Sequence, residues 1–322
     1  MKKKFSWAAL LLCFTVFATA CGTNDASNAN SNNGGSQTQQ ENKEFTFKHK
    51  LGETTVKQNP QKVVVFDFGA LDTLDKLGVN VTGVAQKSVP KYLEKYKDSK
   101  YENIGTLQEP DYEKIDQLKP DLILISGRQE KAYPELSKIA PTLYVGVDTT
   151  KYMESFKENM QRLGQIFGKE SEVNAEIAKL DATIKSVKDK ADASKKNALI
   201  ILANEGKISA YGEGSRFGII HDVLGIPAVD KNIKVSTHGD EISFEYITEK
   251  NPDYLFVVDR GAVVGDSAQA GAKALIENEL VKKTNAYKNN NIVYLDPGFW
   301  YLSGGGLLSV SEMIDEVAKG YK

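Results

Sequence analysis

The chain has 322 residues and a formal net charge of −2 at pH 7, with 41 basic against 43 acidic side chains. This nearly equal number of basic and acidic side chains excludes a protein that binds nucleic acid through a basic surface. The length is ample for two lobes of ordinary size.

The N-terminus has the pattern of an export signal. A lysine-rich start precedes an apolar run from residue 8 to 19, which is too short to be a stable membrane-spanning helix. Small residues then lead to Cys21, which predicts a signal peptide over residues 1–20 and a lipid on the Cys21 thiol, as at a bacterial lipobox. Ala18 stands where that motif usually has leucine, and the alternative is an ordinary cleaved signal followed by an unmodified cysteine.

A polar tether follows the predicted anchor. Residues 21–43 are mostly Asn, Ser, Gly, Gln and Thr, which bury too little apolar surface to fold. Removal of the signal takes Cys13 away, so Cys21 is the sole remaining cysteine and no intramolecular disulfide can form. No later apolar run is long enough to span a membrane, which predicts a lipid-anchored protein on the extracellular face of the cell membrane.

Two stretches of the chain, 113–128 and 245–260, read alike. In each, a short amphipathic segment begins with glutamate, ends at a Pro-Asp pair, and is followed by an apolar run and an arginine. Proline cannot continue a helix, and an aspartate after it favours a turn. The apolar runs 122–126 and 254–258 are typical of parallel strands covered on both faces, so the repeat predicts two α/β lobes.

The remaining pattern indicates a helical connector between the lobes. Further buried strands are predicted at 62–66 and 198–202, each leading into a helix that ends in Leu-Gly. Residues 151–192 keep a helical period with a break at Gly168, and so stiff a connector predicts limited hinge motion. The predicted domains are a signal peptide, a tether, an N-terminal lobe, a linking helix and a C-terminal lobe (1–20, 21–43, 44–150, 151–192 and 193–322).

Arginine is scarce, and three of the four arginines stand where a ligand would bind. Arg128 and Arg260 follow the predicted strands of the repeat, at the edge where open α/β sheets bind ligands. Arg216 lies in a glycine-rich loop, whereas Arg162, on the long helix, is expected to be a solvated surface residue. Because arginine binds oxygen anions directionally, the first three predict a polyanion, such as a ferric catecholate complex with about three negative charges and rings for cation–π contacts. The alternative is three unrelated surface arginines.

Aromatic residues gather before a Gly-Gly-Gly run at 304–306. Trp300 is the only tryptophan left after removal of the signal, and we interpret it as lining the ligand cleft, the alternative being a core residue beneath a flexible loop. His238 lies on a loop that we expect at the same cleft. No Cys, Asp or second His stands at ligand spacing from His49 or His221, so we expect neither a metal site of the protein's own nor a cofactor.

Glu113 and Glu245 open the two matching helices. A carboxylate there can simply compensate the helix dipole, or the two can dock, one from each lobe, to basic residues of a partner, and the residues alone leave both possibilities open. The sequence has no Gly-x-Ser-x-Gly motif, no P-loop and no dinucleotide-binding glycine pattern, so we expect a protein that is not an enzyme.

In their order and doubling, these motifs resemble those of the siderophore- and cobalamin-binding proteins of ABC importers. The resemblance rests on Pro-Asp-Leu-Ile at 120–123, Pro-Asp-Tyr-Leu at 252–255, Ser-Phe-Glu-Tyr-Ile at 243–247 and the two Leu-Gly helix ends, and it extends from about residue 62 to residue 321. With the three arginines, the run Phe-Trp-Tyr-Leu-Ser-Gly-Gly-Gly at 299–306 is most similar to catecholate receptors, especially the petrobactin-binding lipoproteins of Gram-positive bacteria.

The resemblance implies two α/β lobes bridged by a long helix, with a cleft between them that holds a ferric siderophore. It implies that the three arginines hold the anionic complex and that the two glutamates meet arginines of an ABC permease. In some catecholate receptors a histidine and a tyrosine complete the iron shell, and His238 and Tyr301 are the matching residues here. We also expect a monomer.

Two alternatives compete with a catecholate receptor. The first is a receptor for a ferric hydroxamate, haem or cobalamin, but a neutral hydroxamate complex would not need three arginines. The second is a lipid-anchored hydrolase, which would require an activated nucleophile or a closed metal site, and the sequence shows neither.

Overall fold

The computed structural model describes residues 43–264 and 271–322. The predicted signal peptide, the lipid anchor at Cys21 and nearly all of the predicted tether lie outside the described residues. From Lys43 onward the residues belong to one compact unit. Within the described ranges, no helix is long and apolar enough to cross a membrane.

The N-terminal lobe contains a five-stranded parallel sheet with the order β5-β4-β3-β6-β7 and an antiparallel hairpin of β1 and β2. Its two central strands are wholly buried, as their apolar sequences predict. The strands are β1 (Glu44–His49), β2 (Gly52–Lys57), β3 (Val63–Val65), β4 (Gly83–Val84), β5 (Glu102–Asn103), β6 (Leu122–Ile125) and β7 (Thr142–Tyr144). The α-helices are α1 (Phe68–Lys76), α2 (Tyr112–Leu118) and α3 (Tyr133–Ile139).

The connector consists of two helices, α4 (Tyr152–Phe167) and α5 (Glu170–Ser194). They separate at Gly168, which takes the left-handed conformation with φ of 62°, so the predicted break is confirmed. The buried side chains of both helices recur with a helical period, which is why this charged segment packs along one face only.

The C-terminal lobe has a mixed sheet with the order β10-β9-β8-β11-β12. Strands β8, β11 and β12 are parallel. Strand β9 is antiparallel to β8, to which a two-residue turn joins it, and β10 is antiparallel to β9. The strands are β8 (Ala198–Asn204), β9 (Lys207–Tyr211), β10 (Asp240–Ile242), β11 (Tyr254–Asp259) and β12 (Ile292–Leu295). The α-helices are α6 (Ile219–Asp222), α7 (Phe244–Lys250), α8 (Ala272–Ile276), α9 (Asn285–Lys288) and α10 (Leu307–Gly320).

The sequence repeat is a structural repeat. Helix α2 precedes β6 as α7 precedes β11, and each strand lies near the centre of its sheet. Both helices end in a left-handed residue directly before the proline, at Lys119 with φ of 49° and Asn251 with φ of 45°. Proline disfavours the α conformation for the residue before it, and the left-handed cap ends both helices at the predicted place.

The final helix ties the two lobes together. Helix α10 follows the last strand of the C-terminal sheet but packs against α1 of the N-terminal lobe and against α5. Its first backbone N–H groups donate to the buried carboxylate of Asp72 on α1, from Leu308 at 3.1 Å and from Ser309 at 3.1 Å. A carboxylate at a helix N-terminus is favoured by the helix dipole, so this contact fixes the segment that precedes α10.

Candidate functional site

The two repeat-matched arginines occupy equivalent positions. Arg128 lies in a short 3₁₀ helix that follows β6 (127–132), and Arg260 begins a short 3₁₀ helix (260–262) that follows β11. Arg216 lies in the loop between β9 and α6. All three side chains are partly buried.

The three guanidinium groups surround one tyrosine. Their Cζ atoms lie 5.9 Å (Arg128), 4.2 Å (Arg216) and 5.6 Å (Arg260) from the ring centroid of Tyr301. Arg128 Nη2 donates to the Tyr301 carbonyl oxygen at 2.8 Å, and Arg216 Nη2 donates to the same oxygen. Arg260 Nε donates to the Tyr301 hydroxyl at 2.8 Å. The sequence indicated the arginines, but it did not indicate that a single tyrosine would lie between them.

The direct partners of these guanidinium groups are uncharged. Besides Tyr301, Arg128 Nη1 donates to the carbonyl oxygen of Leu302 at 3.3 Å, and Arg260 Nη1 donates to Asn204 Oδ1 at 2.5 Å. Across residues 43–264 and 271–322, none of the three forms an ion pair with a carboxylate. The cluster therefore keeps a concentrated positive charge that an anion can neutralise.

Protonation equilibria reflect this charge. Burial alone would raise the pKa of the Tyr301 phenol, but the hydrogen bond from Arg260 and the charges of the three arginines hold the pKa below its usual value. Burial lowers the pKa of Arg128, and the charge of Arg216 lowers it further. Burial raises the pKa of the Asp67 carboxyl, although a hydrogen bond from Ser126 and the charge of Arg128 oppose the rise.

A cavity of about 780 Å³ opens over this cluster. Arg128, Asp67 and Tyr144 line it from the N-terminal lobe, and Arg216 lines it from the C-terminal lobe. Tyr301 and its neighbours form another part of the wall. A cavity of this size is ample for an organic chelate, and it lies beyond the carboxyl ends of the central strands, where α/β sheets bind ligands.

Comparison with known proteins identifies the family. The family model for periplasmic binding proteins matches residues 63–298, which is more than half of the chain. The chain belongs to the periplasmic binding protein family. This membership confirms the predicted fold class of two α/β lobes joined by a long helix, and it confirms the resemblance found in the sequence.

Relatives of this periplasmic binding protein include siderophore receptors. The petrobactin-binding protein YclQ of Bacillus subtilis is 51% identical over 322 residues, which cover 99% of each sequence. A crystal structure of YclQ matches with a TM-score of 0.83 and 54% identity over 87% of this chain and 99% of that chain. The periplasmic catecholate-siderophore binding protein VctP of Vibrio cholerae matches with a TM-score of 0.81 and 40% identity over 86% of this chain and 99% of that chain.

Trp300 combines the two roles that the sequence left as alternatives. It is 2% exposed, its Nε1 donates to Glu316 Oε2 at 2.8 Å, and its ring meets Phe217 edge-on at 6.3 Å. At the same time it contributes to the wall of the cavity. Trp300 is therefore a core residue that forms the floor of the cleft.

His238 lies on the loop between α6 and β10 and is exposed. Three preceding residues of this loop, 235–237, line the cavity, whereas His238 is not part of its wall. The proposed contact of His238 with iron stays a prediction. In the described ranges, no group of three or more His, Cys, Asp or Glu side chains is arranged to hold a metal ion.

Glu113 and Glu245 are exposed in the first turns of α2 and α7, so their matched placement on the two lobes agrees with the sequence repeat.

Arg162 is not the solvated residue that the sequence predicted. Its side chain is 14% exposed, and its Nη2 donates to the carbonyl oxygen of Lys48 at 2.7 Å and pairs with Glu158 at 2.5 Å. It lines a neighbouring cavity instead.

Proposed function

We propose that this periplasmic binding protein captures an anionic ferric siderophore with catecholate ligands, of the petrobactin kind, and delivers it to an ABC permease for iron uptake. The observation that carries the proposal is the cluster of Arg128, Arg216 and Arg260 around Tyr301. Arg128 and Arg216 line a cavity between the two lobes, and within residues 43–264 and 271–322 the hydrogen-bond partners of all three arginines are uncharged. The names of the relatives, a petrobactin-binding protein and a catecholate-siderophore binding protein, support the same ligand class.

The charge of the cluster favours catecholates over other iron chelates. A ferric tris-catecholate carries about three negative charges, and each ring offers a face for cation–π contact with a guanidinium at roughly 0.5–2 kcal/mol. A neutral ferric hydroxamate would leave three clustered cations uncompensated in a partly buried site, which costs electrostatic free energy. Since the relatives are binding proteins, we propose no reaction, and the anchored hydrolase considered from the sequence is not supported.

Tyr301 is the residue of this chain best suited to contact the iron complex directly. Its lowered pKa makes the phenolate more accessible, and a phenolate oxygen is a suitable donor to ferric iron when the siderophore leaves a position open. We propose His238 as the second such donor, which requires its exposed loop to move over the cavity. The ferric ion is cargo in this proposal, and we expect no cofactor of the protein's own.

Docking and anchoring complete the proposal. Glu113 and Glu245 would bind arginines of the permease, one from each lobe, because both carboxylates are exposed and repeat-matched. A lipid on Cys21 would hold the monomeric protein on the extracellular face of the membrane. Replacement Cys21→Ser tests the anchor: incorporation of labelled palmitate should be lost and the protein should appear in the medium, whereas retention at the membrane would contradict it.

Titration of the soluble protein from Lys43 onward tests the ligand class. Trp300 is the only tryptophan in that segment and forms the cavity floor, so a bound ferric catecholate should quench its fluorescence at short range. We expect saturable quenching by ferric petrobactin or ferric enterobactin, and none by a neutral ferric hydroxamate or by haem. Absence of binding to every catecholate complex, confirmed by calorimetry, would contradict the proposed function.

A further inference from the structure

Asn204 occupies a fixed position beside Arg260. It is the last residue of β8, which runs parallel to β11 with Ala203 opposite Asp259. On its other side it pairs with Lys207 across the two-residue turn into β9, where Glu205 and Gly206 have positive φ values of 50° and 80°. Two neighbouring strands therefore hold the backbone of Asn204 at the carboxyl edge of the sheet, next to the start of the segment that carries Arg260.

The side chain of Asn204 orients the guanidinium group of Arg260. Arg260 Nη1 donates to Asn204 Oδ1 at 2.5 Å, while Nε donates to the Tyr301 hydroxyl at 2.8 Å. A guanidinium group has five N–H donors in a rigid plane. Two bonds at different nitrogens determine the direction of that plane, and the remaining N–H groups have no hydrogen-bond partner among the described residues.

The acid that stands nearest in sequence forms no ion pair with this arginine. Asp259 immediately precedes Arg260, but its Oδ1 accepts from the backbone N–H of Ala262 at 3.3 Å and its Oδ2 from that of Ala272 at 2.8 Å. Within residues 43–264 and 271–322, the one side-chain acceptor of Arg260 apart from Tyr301 is thus a neutral amide. An aspartate at position 204 would have almost the same shape and would accept the same bond with greater strength.

We propose that Asn204 is a specificity-determining residue that orients Arg260 without cancelling its positive charge. The neutral amide adds no negative charge to the three cations around Tyr301, so the site selects complexes with a high negative charge over neutral chelates. This inference rests on the proposed function.

Asn204→Asp and Asn204→Ala separate charge from positioning. Asp keeps the acceptor but removes one net charge, so the affinity for ferric enterobactin should fall about tenfold or more, with a weaker dependence on salt. Ala removes the acceptor but leaves the net charge of the site unchanged, so the affinity for ferric enterobactin should fall less, by about threefold. A purely structural role predicts the reverse order, because Asp is the better mimic of Asn.

Asn289→Asp is the matched control. It makes the same charge change on an exposed residue of the same lobe, at the amino end of β12 and so at the opposite edge of the sheet, and it should alter affinity less than twofold. Thermal melts of all variants establish that each is folded at the titration temperature. If the wild type binds ferric enterobactin but Asn204→Asp has the same affinity as Asn289→Asp, the inference is overturned and the proposed function stands. The same holds if the Asn204→Ala variant binds more weakly than the Asn204→Asp variant. Failure of the wild type to bind any ferric catecholate would overturn both.

Discussion

Replacement of Arg216 by methionine should separate ligand binding from fold stability. Arg216 Nη2 donates to the carbonyl oxygen of Tyr301, and that oxygen also accepts from Arg128 Nη2 at 2.8 Å. The carbonyl therefore keeps a partner in the variant. Methionine is flexible and polarisable, so it can fill the space beside the rings of Tyr301 and Phe217 that the guanidinium group now covers.

The opposing contributions to stability are of similar size. The variant loses one hydrogen bond, worth about 1 kcal/mol, and a cation–π contact, worth about 0.5–1 kcal/mol. It also loses a repulsion: the Cζ atoms of Arg216 and Arg128 lie 4.2 Å and 5.9 Å from one ring centroid, so they are at most about 10 Å apart, and two like charges at that distance repel by about 1–2 kcal/mol. The free energy of unfolding should change by less than about 1 kcal/mol.

Binding should change far more. Loss of one of three cations facing a polyanion should weaken the affinity by about 10- to 100-fold, since tenfold corresponds to about 1.4 kcal/mol. Urea unfolding gives the stability, and quenching of Trp300 with calorimetry gives the affinity.

Arg162→Met is the control with the opposite expected pattern. Arg162 lines the neighbouring cavity and bonds to the Lys48 carbonyl, so its loss should cost about 1–2 kcal/mol of stability without altering siderophore affinity. An Arg216→Met protein that binds normally but is destabilised by several kcal/mol would show that the arginine serves the fold, and the charge argument would be refuted.

The phenol of Tyr301, the exposed glutamates and the close backbone contact at Gly306 can be tested separately. Because the pKa of Tyr301 is lowered, the folded protein releases this proton before the unfolded chain does, so in thermal melts the wild type should gain stability over Tyr301→Phe as the pH rises towards the usual tyrosine pKa of about 10. Combined Glu113→Ala and Glu245→Ala should leave affinity unchanged but abolish cellular uptake of radiolabelled ferric siderophore. Glu249→Ala, at another exposed glutamate of α7, is the control. Gly306→Ala should lower the unfolding free energy by about 1–3 kcal/mol in urea, because a Cβ there would clash with a buried carboxylate and a backbone carbonyl. The same pH dependence in the wild type and Tyr301→Phe would contradict the first prediction, and retained uptake by the double glutamate variant would contradict the second. An unchanged urea midpoint for Gly306→Ala would contradict the third.

Local sequence patterns were sufficient to predict the lobes and the placement of two arginines. Continuous apolar runs predict buried parallel strands, and the same helix–Pro–Asp–strand order occurs twice, so Arg128 and Arg260 had to follow equivalent strands. The glycines after the first helix of each lobe, Gly78 and Gly225, have positive φ values of 69° and 72°, as their predicted role of ending those helices requires.

The centre of the cluster could not be predicted in the same way, because it depends on contacts between distant parts of the chain. Tyr301 accepts a hydrogen bond from a residue 173 positions earlier, and no local period encodes such a pairing. Asn204 was missed for a related reason. Its only signal was an amide at the end of an apolar strand, directly before a Glu-Gly turn, and that signal acquires meaning only when β11 is known to be its neighbour.

The placement of Tyr301 also bears on hinge motion. It lies in a π-helical segment (298–303) that is bound to the N-terminal lobe, where the hydroxyl of Tyr92 donates to Ser303 Oγ at 2.6 Å. Arg216 and Arg260 come from the C-terminal lobe and both bond to Tyr301. Wide separation of the lobes would break hydrogen bonds on one side of Tyr301 or the other, and each such bond is worth about 1 kcal/mol. These hydrogen bonds therefore favour the limited hinge motion that the stiff connector predicts.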